Sequence, residues 1–194
     1  MRGKPYPFRP VFAILNGMNA PVTAVKAEEI LDSRGNPTLA VTVTADLPAG
    51  KAGGAQGTFS VPSGASTGSH EALELRDGDP KHFRGLGVLK AVANINDIIA
   101  PALKGMDAAD QKAVDQRILE LDGTPNKSHL GANAVVGVSI ACAKAAAAAQ
   151  NIPVYEHLRT LAYIKPSRAV PLLFMNLING GKHAQSRLAF QEYH

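Results

Sequence analysis

Residues 22–45, VTAVKAEEILDSRGNPTLAVTVTA, decide the fold of this chain, because they hold two strand patterns on either side of a turn. The first pattern, Val22–Leu31, is rich in apolar residues, and Asp32–Pro37 is a dense turn signal. From Thr38 to Ala45, apolar and polar residues alternate with the period of two that is typical of a half-buried strand. The stretch therefore predicts two sequential strands joined by a short turn.

A third strand is predicted at Thr58–Val61, after a loop rich in glycine and alanine at Pro48–Gly57. Three sequential strands with short connections indicate an antiparallel meander. The sheet of the domain is therefore expected within the first third of the chain.

The next hundred residues are predicted to be helical. Apolar residues recur at three- and four-residue spacing from Leu89 to Ile99, and Pro101 is expected to stop this helix. A second helix is expected to have Asp107 as its N-cap and to end at Gly123.

Two further helical patterns complete this part of the chain. Ala132–Gln150 is apolar nearly all round and rich in alanine, which predicts a buried, closely packed helix. Cys142 lies inside it and is interpreted as a small core residue. Pro153 suits the first turn of a short last helix, Val154–Leu161.

The character of the sequence changes after this last helix. Lys165–Arg168 is typical of a linker, and residues 170–178, VPLLFMNLI, form a continuous apolar run. A strand that is apolar on both faces belongs in the middle of a sheet or barrel that is covered on both sides. A second strand is predicted at Leu188–Tyr193.

The fold class predicted from this order is α+β. A three-stranded antiparallel meander and its following helices form a domain at residues 22–165, and residues 166–194 begin a second, unfinished domain that suits a sheet or barrel covered on both sides. Residues 1–21 are expected to be a disordered extension, because they lack helical or strand periodicity.

Composition excludes several classes of protein. Hydrophobic residues make up 45% of the 194 positions and charged residues 19%, which is ordinary for a globular protein, and we expect no membrane-spanning helix. Arg2, Lys4 and Arg9 account for three of the four net positive charges, so we expect no nucleic-acid partner. A single cysteine favours a reducing, cytoplasmic setting.

The loop Ser63–Gly68, SGASTG, is the first candidate for chemistry. Small residues and hydroxyl groups let backbone amides approach an anion closely, and hydroxyl oxygens suit Mg²⁺. The loop precedes a run that favours helix, His70–Leu75, but lacks the Gly-Lys-Ser/Thr of a Walker loop. A flexible connection without a ligand is the alternative interpretation.

The segment Asn179–His183, NGGKH, is the second candidate, because it directly follows the apolar run. Catalytic groups of barrel enzymes lie at the carboxyl ends of strands, where glycines admit a substrate close to the backbone. A simple hairpin is the alternative, since Asn-Gly is a strong hairpin signal. Glu192, on the second apolar strand, is unfavourable there unless it is paired or functional, although an exposed, idle carboxylate near the terminus is equally compatible.

Seven motifs, taken in order, carry a resemblance to a known family. They are Leu31–Thr38, Val61–Gly68, Glu71–Asp77, Asn126–Ser128, Leu130–Ala134, Asn179–Ala184 and Gln191–Glu192. In this order and spacing they resemble enolase, phosphopyruvate hydratase, from about Val22 to the last residue.

The resemblance implies a fold and an activity. The implied fold is an α+β domain that caps an eight-stranded β/α barrel, and the implied reaction is the reversible dehydration of 2-phospho-D-glycerate to phosphoenolpyruvate in glycolysis, with two Mg²⁺ ions. The family is a homodimer, and Ala40 stands where it usually carries a glutamate of the dimer contact.

The resemblance also implies roles for five residues. Ser66 would ligate a Mg²⁺ ion and, with Ala65, contact substrate from a loop that closes over it. His183 would contact substrate near its phosphate and hydroxyl, Glu192 would help the hydroxide depart, and Gln191 would line the same pocket.

Three functional hypotheses remain at this point. In the first, the chain is part of an enolase and inactive alone, because the family's acidic metal ligands, base lysine and phosphate-binding arginine lie on later barrel strands. In the second, it is a truncated, non-catalytic relative that binds another chain. In the third, it is a phosphate-binding module that uses only the Ser63–Gly68 loop.

Overall fold

The computed structural model of this protein describes residues 19–47, 53–63, 68, 70–162 and 172–194. The predicted extension, up to residue 18, and the predicted linker, Lys165–Arg168, lie outside the described residues.

Three antiparallel strands form the sheet in the order β1 (Val22–Leu31), β2 (Pro37–Asp46) and β3 (Gly54–Ser60). The predicted meander is therefore confirmed. The third strand begins at Gly54, so the loop predicted to extend to Gly57 is shorter than expected. These glycine and alanine residues belong to the strand because they pair in register with the end of β2.

The turn between β1 and β2 is organised by one side chain. The Asp32 carboxylate accepts hydrogen bonds from the backbone N–H of Arg34 at 2.8 Å and from that of Asn36 at 2.9 Å. The bond from Asn36 is the largest cause of the lowered pKa of Asp32, and the Arg34 guanidinium lowers it further. An aspartate at the start of a turn thus fixes the register of the hairpin.

In the part of the chain that the structure describes, five α-helices follow the sheet: α1 (Leu89–Ala93), α2 (Ala100–Leu103), α3 (Gln111–Asp122), α4 (Ala132–Gln150) and α5 (Val154–Leu161). Short 3₁₀ turns lie at Phe83–Gly85 and Gly181–His183. The run His70–Leu75 is not helical, contrary to the prediction, because its backbone bonds elsewhere. Leu73 N–H donates to Asn126, and the side chain of Asn133 bonds both the N–H and the carbonyl of Leu75.

The prediction that Pro101 stops the first helix is wrong. A π-helical turn, Asn94–Ile99, joins α1 to α2, and Pro101 lies in the first turn of α2. A proline is tolerated there because its missing N–H is not needed. Within the π-helical turn, the Asn96 side chain accepts from Ala27 N–H at 2.8 Å and donates to its carbonyl at 3.1 Å, so the wider turn also covers the outer edge of β1.

The N-cap of α3 is Asp110 and not the predicted Asp107. Asp110 accepts from the N–H of Ala113 at 3.0 Å, whereas Asp107 accepts from Ala109 and from Ala20, which ties the chain before β1 to the start of α3. Gly123 ends the helix in the left-handed conformation, as predicted.

The core lies between the sheet and α4, whose alanine-rich surface allows close approach. Cys142 is fully buried there, as predicted, and burial raises the pKa of its thiol to about 12. By length and composition alone, α4 is long and apolar enough to cross a membrane. In the structure 61% of its most apolar window is buried inside the domain, as expected of a core helix.

Gly57 marks the closest contact between the sheet and α4. A β-carbon at this position would clash with the backbone atoms of Ala141 and Ala145. We therefore expect Gly57→Ala to lower the free energy of unfolding by at least about 3 kcal/mol, because backbone atoms cannot give way. Urea unfolding followed by circular dichroism measures the loss.

Gly68→Ala is the matched control, since a β-carbon there would meet only the flexible side chain of Glu71 at 3.3 Å or more. A change in stability smaller than 1 kcal/mol is expected for it. Equal losses in the two variants would show that the contact at Gly57 does not limit the packing.

Asp122, only 3% exposed, closes the loop that follows α3. Its carboxylate accepts from the N–H of Leu130 at 2.8 Å and from the N–H and hydroxyl of Thr124. Burial alone would raise the pKa of Asp122, but these hydrogen bonds outweigh burial and hold the pKa below its ordinary value. The ionised carboxylate is thus an integral part of the loop.

Asp122→Asn is expected to lower the free energy of unfolding at pH 7 by about 1–3 kcal/mol. Because the pKa is lower in the folded state, the stabilisation is present above about pH 4 and is lost as the pH falls through the folded value. Urea unfolding at pH 7 and pH 3 should show the variant and the native chain converging in acid. Asp97→Asn, at an exposed position, is the control, and an equal loss there at pH 7 would contradict the assignment.

The apolar run before residue 178 is not a strand where it is described. Residues 172–177 have no regular structure, and β4 (Ile178–Asn179) pairs antiparallel with β5 (Glu192–Tyr193). Leu172 is 87% exposed and Phe174 is 82% exposed, so the predicted strand is wrong here, and among the described residues the run lacks the cover that its apolar pattern requires. A double-sided apolar strand needs neighbours on each face, and the described residues place none over this run.

Candidate functional site

The hairpin from Ile178 to Tyr193 holds three of the five predicted site residues. The N–H of Gly180 donates to the carbonyl of Gln191 at 2.9 Å, and the N–H of Gly181 donates to that of Leu188 at 3.0 Å. A β-carbon on Gly180 would clash with the carbonyl oxygen of Phe190, so the close approach of these two backbone segments requires glycine. The segment therefore lies in a hairpin, but not in the tight one that an Asn-Gly turn would make, because Asn179 pairs with Glu192 and residues 180–191 connect the two strands.

This hairpin brings His183, Gln191 and Glu192 together. His183 Nε2 lies 2.9 Å from Gln191 Nε2, and His183 Nδ1 lies 3.4 Å from Glu192 Oε1. The amide nitrogen of Gln191 can only donate, so His183 Nε2 accepts and its Nδ1 carries the proton that faces the carboxylate. The three side chains form a connected group, and we call it the 183–192 cluster.

The 183–192 cluster is open to solvent. The side chain of Glu192 is 40% exposed and that of His183 is 25% exposed. The second oxygen of Glu192 contacts His194 Nε2 at 3.0 Å, so the carboxylate lies between two imidazoles. Such a group can exchange protons with a ligand that approaches from solvent, and it can bind a polar or phosphorylated molecule through the imidazole rings.

The other two predicted site residues, Ala65 and Ser66, lie outside the described residues. The structure describes Ser63, just before them, and shows how this end of the loop is fixed. Arg34 donates to the carbonyl of Ser63 at 3.0 Å, and Arg76 donates to its hydroxyl at the same distance.

Arg76 was not among the predicted site residues, yet it joins four segments. Its guanidinium also donates to the carbonyls of Pro37 at 2.7 Å and Leu86 at 2.6 Å and forms a 2.7 Å ion pair with Glu74. The only sequence signal for this role is the position of the residue inside the recognised motif Glu71–Asp77. The planar guanidinium, with its fixed donors, suits such a multiple contact.

An open cleft of about 770 Å³ lies beside this network, at the amino end of α4. Arg34, Arg76, Glu71 and Glu74 line it, so positive and negative groups are balanced. The cleft and the 183–192 cluster are both places where the described residues could meet a polar ligand.

Glu29, Asp77 and His82 form the one group of metal-ligand residue types found among the described residues, with ligand atoms within 4.8 Å of one another. Protein donors already satisfy its oxygens. Glu29 accepts from His82 and from the N–H of Val88, each at 2.8 Å, and Asp77 accepts from the N–H groups of Leu89 and Lys90.

This arrangement caps the amino end of α1 and does not fit Mg²⁺. Such an ion needs near-octahedral oxygen ligands, several of them water, and here backbone N–H groups hold the carboxylates. The described residues thus supply no complete magnesium centre, and the one predicted magnesium ligand, Ser66, lies outside them.

Asp77→Asn tests the capping role. We expect it to lower the free energy of unfolding by about 1–2 kcal/mol, because two N–H groups of the first turn of α1 lose a charged acceptor. We also expect 5 mM Mg²⁺ to leave the melting temperature of both chains unchanged, since a ligand stabilises a fold only when it binds.

Asp79→Asn is the control, because Asp79 accepts a side-chain hydrogen bond only from the nearby N–H of Lys81. Its loss of stability should be smaller. A rise in melting temperature with Mg²⁺ in the native chain but not in Asp77→Asn would contradict this account and identify a cation site.

The fold and this arrangement of residues define the class of protein. Residues 22–158 match the family model described as "Enolase, N-terminal domain". The chain is also 53% identical over 174 residues to Enolase B of Dictyostelium discoideum, an alignment that covers 89% of this chain and 37% of that protein.

The chain therefore belongs to the enolase family, as its motifs predicted, and its fold is the α+β fold of the amino-terminal domain. It spans a little over a third of the length of the relative that it matches. The family as a whole uses Mg²⁺, although the described residues hold no complete site for it.

Proposed function

We propose that this chain supplies the first part of an enolase active site, and that the complete site dehydrates 2-phospho-D-glycerate reversibly to phosphoenolpyruvate in a magnesium-dependent reaction. The observation that supports the proposal most directly is the contact of His183, Gln191 and Glu192 on one hairpin. Family membership and the motifs Asn179–Ala184 and Gln191–Glu192 support the proposal.

Each residue of the 183–192 cluster has a distinct task in this proposal. The Glu192 carboxyl group gives a proton to the hydroxyl that leaves carbon 3, so that water departs instead of hydroxide. His183 holds a proton at Nδ1 and binds near the phosphate and hydroxyl of the substrate. Gln191 fixes the His183 tautomer by donating to Nε2, which keeps the Nδ1 proton directed at Glu192.

The loop that begins at Ser63 supplies the second set of contacts that this chain would contribute to the active site. Arg34 and Arg76 hold Ser63, and the proposed substrate and magnesium contacts at Ala65 and Ser66 follow directly in the chain. When bound, Mg²⁺ would stabilise the negative charge that develops on the substrate carboxylate. Closure of this loop over the substrate would exclude water from the site.

We propose that the 194-residue chain alone is inactive. The family's base lysine, its acidic metal ligands and its phosphate-binding arginine belong to barrel strands beyond the matched region. A reaction that loses these groups loses most of its electrostatic stabilisation. The proposed setting is cytoplasmic and the proposed partner is the substrate alone. The family homodimer is doubtful for this chain, because Ala40 replaces the usual glutamate.

A non-catalytic binding role is the second candidate, and one observation favours it. The run Leu172–Leu177 exposes leucine and aromatic side chains that a globular protein usually covers. In this alternative, the run pairs with another chain and the 183–192 cluster has no catalytic task.

The isolated chain should show no turnover of 2-phosphoglycerate with excess Mg²⁺, as measured by the ultraviolet absorbance of phosphoenolpyruvate. A second assay uses a chimera in which this chain replaces the matching 174 residues of Enolase B. We expect the chimera to be active, and we expect Glu192→Gln and His183→Ala to lower its kcat at least about 100-fold.

His129→Gln, at an exposed histidine outside the cluster, is the control and should change kcat less than twofold. Turnover by the isolated chain that depends on Glu192 would overturn the proposed inactivity. An active chimera that tolerates both cluster substitutions would overturn the catalytic roles. An inactive but folded chimera would favour the binding role.

A further inference from the structure

Helix α5 depends on a histidine for its attachment to the domain. The helix packs against α4, and His157, at 2% exposure, is its one buried residue. Its large apolar side chains are less useful anchors, because Tyr155 is 69% exposed and Leu158 is 48% exposed. The side chain that fastens α5 is thus one that can acquire a charge.

The neutral ring of His157 suits its environment, whereas the protonated ring does not. Nδ1 lies 3.3 Å from Gln150 Oε1, an atom that can only accept, so Nδ1 donates. Nε2 is buried without a hydrogen-bond partner among the described residues. In the neutral ring this atom is a lone pair, but in the protonated ring it becomes a second N–H donor with no acceptor, which is costly in a buried site.

No acidic group on the facing helix could compensate a charge on His157. The titratable groups of α4 are Lys144, whose amino group donates to the carbonyl of Thr58, and Cys142, whose thiol stays neutral. On α5 itself, Glu156 is held by Arg159 at 2.7 Å, and the Tyr155 phenol is exposed. The described residues therefore provide His157 with burial but not with a free carboxylate.

The connection to α5 permits the helix to detach separately from the domain. The chain leaves α4 through Asn151 in the left-handed conformation, and α5 begins after Pro153 without a side-chain cap. An eight-residue helix is not stable in water without tertiary packing. When the contact at His157 is lost, α5 has little else to keep it folded in place.

We propose that protonation of His157 releases α5 from α4 while the sheet and α4 remain folded. The device is a pH-sensitive latch at the carboxyl end of the domain. It is independent of the proposed enolase reaction, because neither His157 nor α5 has a role in that chemistry.

The direction of the pH dependence follows from burial. Burial lowers the pKa of His157 in the docked state, whereas the released ring recovers an ordinary value near 6.5. The released state therefore binds more protons between these two values. Above about pH 6.5 docking is independent of pH, and below it each unit of pH raises the equilibrium constant for release up to about tenfold until the folded value is reached.

Hydrogen exchange read by mass spectrometry on the full 194-residue chain tests the latch. Peptides from residues 154–161 and from α4 are compared at pH 7.5 and pH 5.0, with rates corrected for the intrinsic effect of pH on exchange. We expect protection of α5 to fall at least tenfold at pH 5.0 while that of α4 is retained. His157→Gln should abolish the change, and His70→Gln, at an exposed histidine, should preserve it.

A nuclear magnetic resonance titration of the histidine rings in the native chain needs no substitution. His157 is expected to remain neutral just below about pH 6.5, where an unperturbed imidazole is already half protonated, and to become protonated together with the loss of α5 protection. Titration of His157 at an ordinary pH with α5 still protected would overturn the proposal. The proposal would also be overturned if the His157→Gln chain keeps α5 protected at pH 7.5 and still loses that protection at pH 5.0 as the native chain does.

Discussion

Direct contact between the backbone of β3 and the backbone of α4 is the constraint on which the rest of this domain depends. Gly57 and the alanines opposite it leave no room for a side chain, and Gly137 of α4 packs directly against the side chains of Leu39, Val41 and Val61. Helix and sheet approach this closely only when small residues line the contact on both sides. This requirement explains the alanine-rich composition of α4, because larger residues there would push the helix off the sheet.

With the helix fixed at that distance, polar side chains hold the irregular segment between β3 and α1. Asn133, at the start of α4, bonds the backbone of Leu75, and Arg76 then reaches three carbonyl or hydroxyl groups on other parts of the chain. Asp77 follows and caps α1. Three successive residues thus connect the core helix, the strand ends and the next helix, so the loop that begins at Ser63 starts from a rigid frame.

Sequence periodicity predicted the strands and helices whose structure depends on residues that are close together in the sequence. The strand patterns in Val22–Ala45 and the apolar surface of Ala132–Gln150 depend on the local sequence, and the two strands and the helix lie where they were expected. The π-helical turn before Pro101 was not predictable, because it depends on an amide that reaches Ala27, and the non-helical path of His70–Leu75 depends on Asn133. Both contacts join residues that are remote in sequence.

The candidate site shows the same difference between features that depend on the local sequence and features that depend on remote contacts. Motifs identified His183, Gln191 and Glu192, but their contact depends on a long hairpin that pairs Asn179 with Glu192, which the Asn-Gly signal for a tight turn does not describe. Arg76 was missed because its partners come from three separate places in the sequence. Residues 172–177 are exposed and do not form the predicted strand, because an apolar pattern indicates that a segment needs covering strands and does not show that they are present.

The contact of the Asn96 amide with the edge of β1 also bears on the tendency of the protein to aggregate. An edge strand with free donors and acceptors is a template on which strands from other molecules can add. Asn96 occupies both backbone groups of Ala27, and the residues before α3 occupy both backbone groups of Val22. Side chain and loop thus occupy the outward backbone groups of β1 at these two residues, which shortens the free edge on which a strand from another molecule could add.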